Sequence, residues 1–396
     1  MSRPRTRSLA AATFSLLGCV FAACGGRDGD GGGERPVPQI EASVASMDAI
    51  GDSISEGFNA VSDGETCPES ELEQRNFSTG DTHGGELCSD GGEGVFSHAE
   101  SLECVQGQQI VRADSNAADS GARMLTGFFD QSGAAAAFLA GQPEPRYVTI
   151  LLGHNDICSG TVDRVQASCP RGADQDPTNH CRTTPAAFER ELRKGLDVLL
   201  GVSSLRIGVA APVRVSLLCV HGGREPCRPE IEECQDVWRA AVTLGLPDEK
   251  GICGSLTADC SDARVASAYE MTRAYREVIA RVAAQYAAVP SGGSSPVVVV
   301  GGQTVGGAVK ASGVEVVFSD ASWRARFDET DVSCCDCFHP SVSGQDRIAR
   351  GLLEGIVCGD ADPCCADTGD PVLDGRCAQE DRGGTFHAGF FPRVNP

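Results

Sequence analysis

The chain is poor in aromatic residues and in long apolar stretches. Aromatic side chains make up 5% of its 396 residues, and its two tryptophans, Trp238 and Trp323, offer little for stacking against sugar rings. Beyond the first 24 residues, no segment reaches the roughly 18 uninterrupted apolar residues that a membrane-spanning helix requires. These absences argue against a membrane-spanning body and against a broad aromatic platform for carbohydrates.

Several motifs of other enzyme classes are missing as well. The sequence has no G-x-S-x-G elbow, no H-E-x-x-H zinc helix and no D-x-D-x-D-G calcium loop. The glycine-rich stretch 301–307 lacks the G-x-G-x-x-G spacing of a dinucleotide site. A formal net charge of −22 disfavours polyanions such as nucleic acid as partners. We therefore expect no cofactor, no metal ion and no nucleic-acid partner.

The N-terminus has the pattern of an exported protein. Three arginines precede the apolar stretch Leu9–Ala23, so residues 1–23 are predicted to be a signal peptide. Cys24 follows small residues, as the acylated cysteine of a bacterial lipoprotein does, and Cys19 is the alternative. Cleavage before Cys24 leaves 18 other cysteines of the 20, an even number that can pair, so we favour lipidation at Cys24. The alternative is ordinary cleavage and free secretion. Either way, we expect an extracytoplasmic protein, and we expect membrane contact only through a lipid anchor at Cys24 where that cysteine is acylated.

The abundance of cysteine has two interpretations near residue 335. In an oxidising compartment, the 18 remaining cysteines predict up to nine disulfides, whose pairing the sequence does not reveal. Cys334, Cys335 and Cys337 with His339 also contain a C-x-x-C and a nearby histidine, as zinc sites do. We favour disulfides, which would fix the turn that carries Asp336 and His339.

Three separated segments together supply a serine nucleophile. Ser53 lies in Gly51-Asp52-Ser53-Ile54-Ser55, directly after an apolar run. A serine hydroxyl needs a base within hydrogen-bond reach and a third group that orients the base. His339 is the candidate base, and Asp336, three residues earlier, can accept its imidazole N–H and stabilise the imidazolium. This set predicts a serine hydrolase.

Hydrogen-bond donors for the developing oxyanion are also present. Such donors typically contribute roughly 3 kcal/mol each when they are preorganised. Asn155, in Gly153-His154-Asn155-Asp156, offers its side-chain amide, and Ser53 its own N–H. Gly121 can add a backbone N–H, because glycine allows the backbone to approach a ligand closely.

At these segments the sequence resembles the SGNH, or GDSL, hydrolase family. The resemblance covers residues 51–57, 116–122, 148–158 and 336–344, in the family's order. It implies Ser53 as the nucleophile, Asp336 and His339 as the base pair, and Ser53, Gly121 and Asn155 as the oxyanion hole. The forms NDIC and DCFHPS are most similar to the phospholipase B and lipase branch. His154 departs from that branch, which more often has glycine there, and is similar to some carbohydrate acetylesterases.

Apolar runs alternate with helical patterns along the chain. The runs 44–50, 109–113, 147–152, 205–211 and 314–319 predict buried parallel strands. Helices are predicted from Thr184-Pro185 to Gly201, over 263–288 and over 343–357. This alternation predicts a three-layer α/β/α sandwich around a mostly parallel five-stranded sheet, a flavodoxin-like arrangement in the resembling family. Residues 296–302 are either an extra strand and turn or the true fifth strand.

The domain organisation follows from these segments. A Gly-rich tether is predicted for residues 24–42, one hydrolase domain for 43–358 and an irregular tail for 359–396. Cysteine-rich insertions are predicted at 65–104, 158–181, 219–260 and 358–377. They would form either the walls of the substrate cleft or a stapled rim.

Three functions compete for this sequence. The first is a lipase or esterase that cleaves acyl esters through an acyl-enzyme on Ser53. The second keeps this catalysis but removes acetyl groups from a glycan; His154 favours it, whereas the scarcity of aromatic residues does not. The third, a non-catalytic surface binding protein, is disfavoured because every required residue type is present.

Overall fold

Five parallel strands form the central sheet of the computed structural model. The structure describes residues 43–62, 64–68, 70–82, 94–158, 182–227, 232–243, 253–257, 259–353 and 355–356. Its strands are β1 (Ser46–Gly51), β2 (Val111–Arg112), β3 (Arg146–Leu151), β4 (Leu205–Ala210), β5 (Val298–Val300), β6 (Gln303–Val305) and β7 (Glu315–Ser319). The sheet order is β2-β1-β3-β4-β7, with every pair parallel, which confirms the predicted fold class.

The remaining two strands settle the question of the fifth strand. β5 and β6 pair antiparallel with each other in a separate hairpin, whereas β7 pairs with β4 at the edge of the main sheet. Residues 296–302 are therefore the extra strand and turn, and 314–319 hold the fifth strand.

Helices cover both faces of the sheet. They are α1 (His98–Gln106), α2 (Phe128–Ala140), α3 (His154–Cys158), α4 (Pro185–Leu199), α5 (Cys234–Thr243), α6 (Gly254–Thr257), α7 (Asp262–Ala287), α8 (Ala321–Arg324) and α9 (Val342–Leu353). Along β3, Val148 and Ile150 belong to one buried cluster with α2, α4 and α7, while Tyr147 and Leu151 belong to another with α1 and α9. Because successive strand residues point to opposite faces, these two clusters are the two interfaces of a three-layer sandwich.

The predicted start of α4 illustrates how local sequence sets an element. Thr184 is the N-cap, and its hydroxyl accepts the N–H of Ala187 at 3.2 Å. Pro185 follows at the first helical position, where its missing N–H costs nothing. Phe188, Leu192, Leu196 and Leu199 are all buried, as their helical spacing predicts.

The sheet register places the site. β1 and β3 pair from Ser46 opposite Arg146 to Gly51 opposite Leu151, so both strands end at the same level. Ser53 and Asn155 therefore follow neighbouring strand ends, the edge at which open parallel sheets bind ligands. No helix among the described residues is long and apolar enough to cross a membrane.

Several sequence predictions lie outside the described residues. These are the signal peptide 1–23, the tether 24–42 with Cys24, the tail 359–396, and large parts of the insertions. The end predicted for the last helix, Val357, also lies outside them.

Candidate active site

Ser53 lies in the tight turn that follows β1. The turn is held by the N–H of Ser55, which donates to Asp52 O at 2.8 Å, and by that of Ile54, which donates to Asp52 Oδ1 at 3.1 Å. Gly51 is needed at the end of β1, since a Cβ there would lie 2.7 Å from Leu151 O. Ser53 itself is 8% exposed. Its hydroxyl is thus fixed in position but not sealed off from a small substrate.

The three predicted polar residues are in direct contact. Ser53 Oγ lies 2.8 Å from His339 Nε2, and His339 Nδ1 lies 2.7 Å from Asp336 Oδ2. Because the carboxylate can only accept, we assign the hydrogen to Nδ1, which leaves Nε2 free to accept the serine hydroxyl. The arrangement can remove a proton from the serine as its oxygen attacks a carbonyl carbon.

The Asp336 carboxylate is surrounded by donors. Oδ2 accepts from His339 Nδ1 and, at 2.6 Å, from Asn59 Nδ2, while Oδ1 accepts the N–H groups of Phe338 at 2.9 Å and His339 at 3.0 Å. Burial alone would raise the pKa of Asp336, but its electrostatic attraction to His339 and the hydrogen bonds from His339 and Asn59 hold that pKa below its ordinary value. The carboxylate therefore stays ionised at neutral pH.

Asn59 is a residue that sequence reasoning missed. It is buried, has a left-handed backbone with φ of +51°, and is anchored by its N–H, which donates to Ser70 O at 3.1 Å. Asparagine tolerates this conformation better than most residues. Asn59 lies six residues after Ser53, and its tolerance of this backbone conformation is the only signal in the local sequence. Its partner Asp336 is 277 residues away, so the sequence does not indicate the contact.

The three predicted oxyanion donors are the N–H groups of Ser53 and Gly121 and the side-chain amide of Asn155. Gly121 has a φ of +82°, a backbone conformation that favours glycine. Space is not the reason for glycine there, because a Cβ would meet no atom within 4 Å. Within the described part of the chain, neither the N–H of Ser53 nor that of Gly121 has a hydrogen-bond partner. Asn155 Nδ2 donates to Ala122 O at 3.0 Å, which fixes the amide and leaves its second hydrogen available. Each predicted donor thus keeps a hydrogen that is not bonded within the described residues.

Comparison with known proteins agrees with this geometry. The profile of the GDSL-like lipase/acylhydrolase family matches residues 49–352, and no curated protein matches the chain. The chain belongs to the GDSL-like lipase/acylhydrolase family. It is therefore an enzyme that hydrolyses ester bonds.

Disulfides pin the turn that carries Asp336 and His339 in this GDSL-like acylhydrolase. All three cysteines around Asp336 are bonded to distant partners, in the pairs Cys227–Cys334, Cys67–Cys335 and Cys234–Cys337. Of the two interpretations of these cysteines, the structure therefore supports disulfides, and the bonded sulfurs are not thiolates that could bind zinc. Two further disulfides, Cys158–Cys253 and Cys219–Cys260, follow the ends of β3 and β4.

The cleft of this acylhydrolase begins at Ser53 and Asn155. Its walls are largely apolar, with Ile54, Val213, Leu217, Leu218, Phe327 and Phe338 among the lining residues. The enclosed part of the cleft is small, about 40 Å³. His221 also lines the cleft, and burial lowers its pKa, so its ring is neutral at pH 7.

A buried carboxyl group supports the loop that carries Gly121. Asp48 Oδ1, on β1, accepts the N–H of Ala117 at 3.1 Å and that of Ala49 at 2.8 Å. Burial raises the pKa of Asp48 from 3.8 to about 6, because the carboxylate form loses its hydration.

This raised pKa predicts a pH-dependent stability. Between the two pKa values the folded state keeps a proton that the unfolded chain releases, so the stabilisation is complete below about pH 4 and is lost as the pH rises through about 6. The shift corresponds to about 3 kcal/mol. The free energy of unfolding in urea, measured at pH 5 and 7.5, should fall less over this interval in Asp48→Asn than in the parent enzyme. Equal changes in the two proteins would contradict the assignment.

Proposed function

We propose that this ester hydrolase is a serine carboxylesterase, of lipase or esterase type, for substrates with an apolar acyl chain. The observation that carries the proposal is the apolar cleft that begins at Ser53. An ester carbon held at Ser53 Oγ would direct its acyl chain between Leu217, Leu218 and Phe338. Burial of each methylene there is worth about 0.8 kcal/mol.

The reaction follows from the contacts in two steps. His339 Nε2 takes the proton of Ser53 as Oγ bonds to the carbonyl carbon, and the oxyanion receives the N–H groups of Ser53 and Gly121 and the amide of Asn155. The C–O bond to the alcohol then breaks, and His339 returns the proton to the departing oxygen. Water, deprotonated by His339, attacks the acyl-enzyme. The bond to Ser53 Oγ then breaks, His339 returns the proton to Oγ, and the acid leaves. Asp336 remains ionised throughout and stabilises the imidazolium.

The glycan O-acetylesterase alternative, which the resemblance at His154 favours, gains no support from the surroundings of that residue. The His154 ring is 3% exposed, and both of its nitrogens are occupied by Asp52 and the N–H of Val213, so it presents no group to a sugar. Both tryptophans are also buried, at 1% and 4% exposure. The apolar acyl substrate is therefore the better supported of the two.

An extracytoplasmic location is part of the same proposal. Five disulfides among the described residues are typical of an oxidising compartment. Lipidation at Cys24 or free secretion would both deliver the enzyme there, and mass analysis of the native N-terminus would distinguish them.

Acyl-chain length tests the substrate assignment. We expect kcat/KM for p-nitrophenyl esters to rise from acetate to hexanoate, by up to about fourfold per buried methylene. Leu218→Trp should fill the cleft and remove this rise while changing the acetate rate by less than about threefold. Val220→Trp is the matched control, because Val220 is 45% exposed and does not line the cleft. A parent enzyme that is fastest on acetate would favour the acetylesterase instead.

A further inference from the structure

His154 connects three strand ends that the reaction requires to be in register. It is the first residue of α3, immediately before Asn155, and follows β3. Its Nδ1 lies 2.8 Å from Oδ2 of Asp52, the residue before Ser53 in the turn after β1. Its Nε2 lies 2.9 Å from the backbone nitrogen of Val213, beyond β4 in the cleft wall. One imidazole thus contacts the nucleophile turn and the cleft wall while adjoining the oxyanion amide.

The hydrogen bonds define the state of this imidazole. A backbone N–H can only donate, so Nε2 must accept from Val213. Nδ1 therefore carries the hydrogen and donates it to the Asp52 carboxylate. Both nitrogens of the ring are satisfied by these bonds, so neither is available to exchange a proton with substrate.

The surroundings make this link stiff. Asp52 is fully buried, and its other carboxylate oxygen accepts the N–H of Ile54 at 3.1 Å. Gly153, immediately before His154, has a φ of +130°, and a Cβ there would lie 3.0 Å from Pro212, the neighbour of Val213. The strand ends are therefore packed tightly at this point, and a displaced imidazole would shift them together.

We propose that His154 is a positioning residue of the hydrolysis reaction, which holds Ser53, Asn155 and the cleft wall at Val213 around one substrate carbonyl. The inference rests on the proposed nucleophile. Displacement of reacting groups by about 1 Å can cost on the order of 100-fold in rate, so loss of the link should appear in kcat. It should do so for acetate and hexanoate esters alike, because the reacting atoms rather than the distal cleft are moved.

The test compares two buried histidines. His154→Phe keeps an aromatic ring but removes both hydrogen bonds, and we expect kcat to fall by about 30-fold or more. His98→Phe is the matched control: His98 is also fully buried and bonded through both nitrogens, to Tyr147 OH and Ala349 O, but on the α1 and α9 side of the sheet. Both variants should lose thermal stability, while His98→Phe should keep kcat within about threefold when expressed per folded enzyme.

Two further variants separate positioning from general destabilisation. His154→Gln retains one donor and one acceptor, so its kcat should be about tenfold higher than that of His154→Phe. Asp52→Asn combined with His154→Phe should be no slower than the slower single variant, since both changes break one link. If His154→Phe does not fold, Asp52→Asn and His154→Gln against His98→Phe decide the question in the same way.

The outcomes are distinguishable from a failure of the proposed function. If Ser53→Ala is inactive, two results would overturn the positioning role and leave the nucleophile assignment intact. One is an unchanged kcat in folded His154→Phe; the other is a double variant whose loss of kcat equals the product of the two single losses. An active Ser53→Ala enzyme would overturn the nucleophile assignment, and with it this inference.

Discussion

Replacing Ser53 with alanine is expected to lower kcat for a p-nitrophenyl ester by about 10⁵-fold or more. The change removes the hydroxyl oxygen that lies 2.8 Å from His339 Nε2, so no acyl-enzyme can form. Losses of this order are typical when a triad nucleophile is deleted, and the residual rate comes from the oxyanion donors and from binding. The measurement is kcat under saturating ester, with substrate burst kinetics recorded for the parent enzyme.

Ser55 provides the matched control for this result. Its hydroxyl is buried two residues further along the same turn and has no hydrogen-bond partner among the described residues. Ser55→Ala should therefore retain kcat within about threefold, and both alanine variants should melt close to the parent temperature. A folded Ser53→Ala enzyme with more than about a hundredth of parental kcat would rule out Ser53 as the nucleophile.

Asp336→Asn is expected to lower kcat by about 10⁴-fold. All four contacts of the carboxylate are donors: Asn59 Nδ2, His339 Nδ1, and the N–H groups of Phe338 and His339. An asparagine amide group would have to face two of these donors in either orientation. It would either push His339 into the wrong tautomer or turn the imidazole away from Ser53.

Asp328→Asn is the control for Asp336→Asn, and the pH dependence of kcat gives a second test. Asp328 has an exposed side chain that accepts the N–H of Thr330 and caps a short 3-10 helix. Asp328→Asn should therefore cost at most about 1 kcal/mol of stability and leave kcat within about threefold. Asp336→Asn should regain part of its rate at high pH, where hydroxide replaces base-activated water. If it stayed within tenfold of the parent at pH 7, Asp336 would not be the residue that orients the base.

The sheet and the main helices were predictable because their signals are local. β1 and β3 are buried along their whole length, so each is mostly apolar in sequence, and α4 carries its start signal at Thr184-Pro185. Strand ends of a parallel sheet converge on one edge, so the sequence alone predicts that Ser53 and Asn155 lie near each other. The contact of His339 with Ser53 was expected from chemistry, not from spacing.

The rest depended on long-range contacts. The disulfide partners are 41 to 268 residues apart, and nothing in a single sequence selects one pairing over another. Asn59 serves Asp336 across 277 residues, and its own surroundings do not mark it. The resemblance at His154 concerns the substrate branch, whereas its burial and its bonds to Asp52 and Val213 do not follow from the sequence. Its partners are set by the register of three strands, which the sequence does not show.

Labelling with a fluorophosphonate, followed by peptide mapping, tests the central claim most directly. The reagent bonds covalently to an activated serine, so the folded enzyme should carry one adduct on the peptide that contains Ser53, and heat-denatured enzyme should carry none. Loss of esterase activity should follow the same time course as labelling. An adduct on another residue, or full inhibition without any adduct on Ser53, would contradict the account.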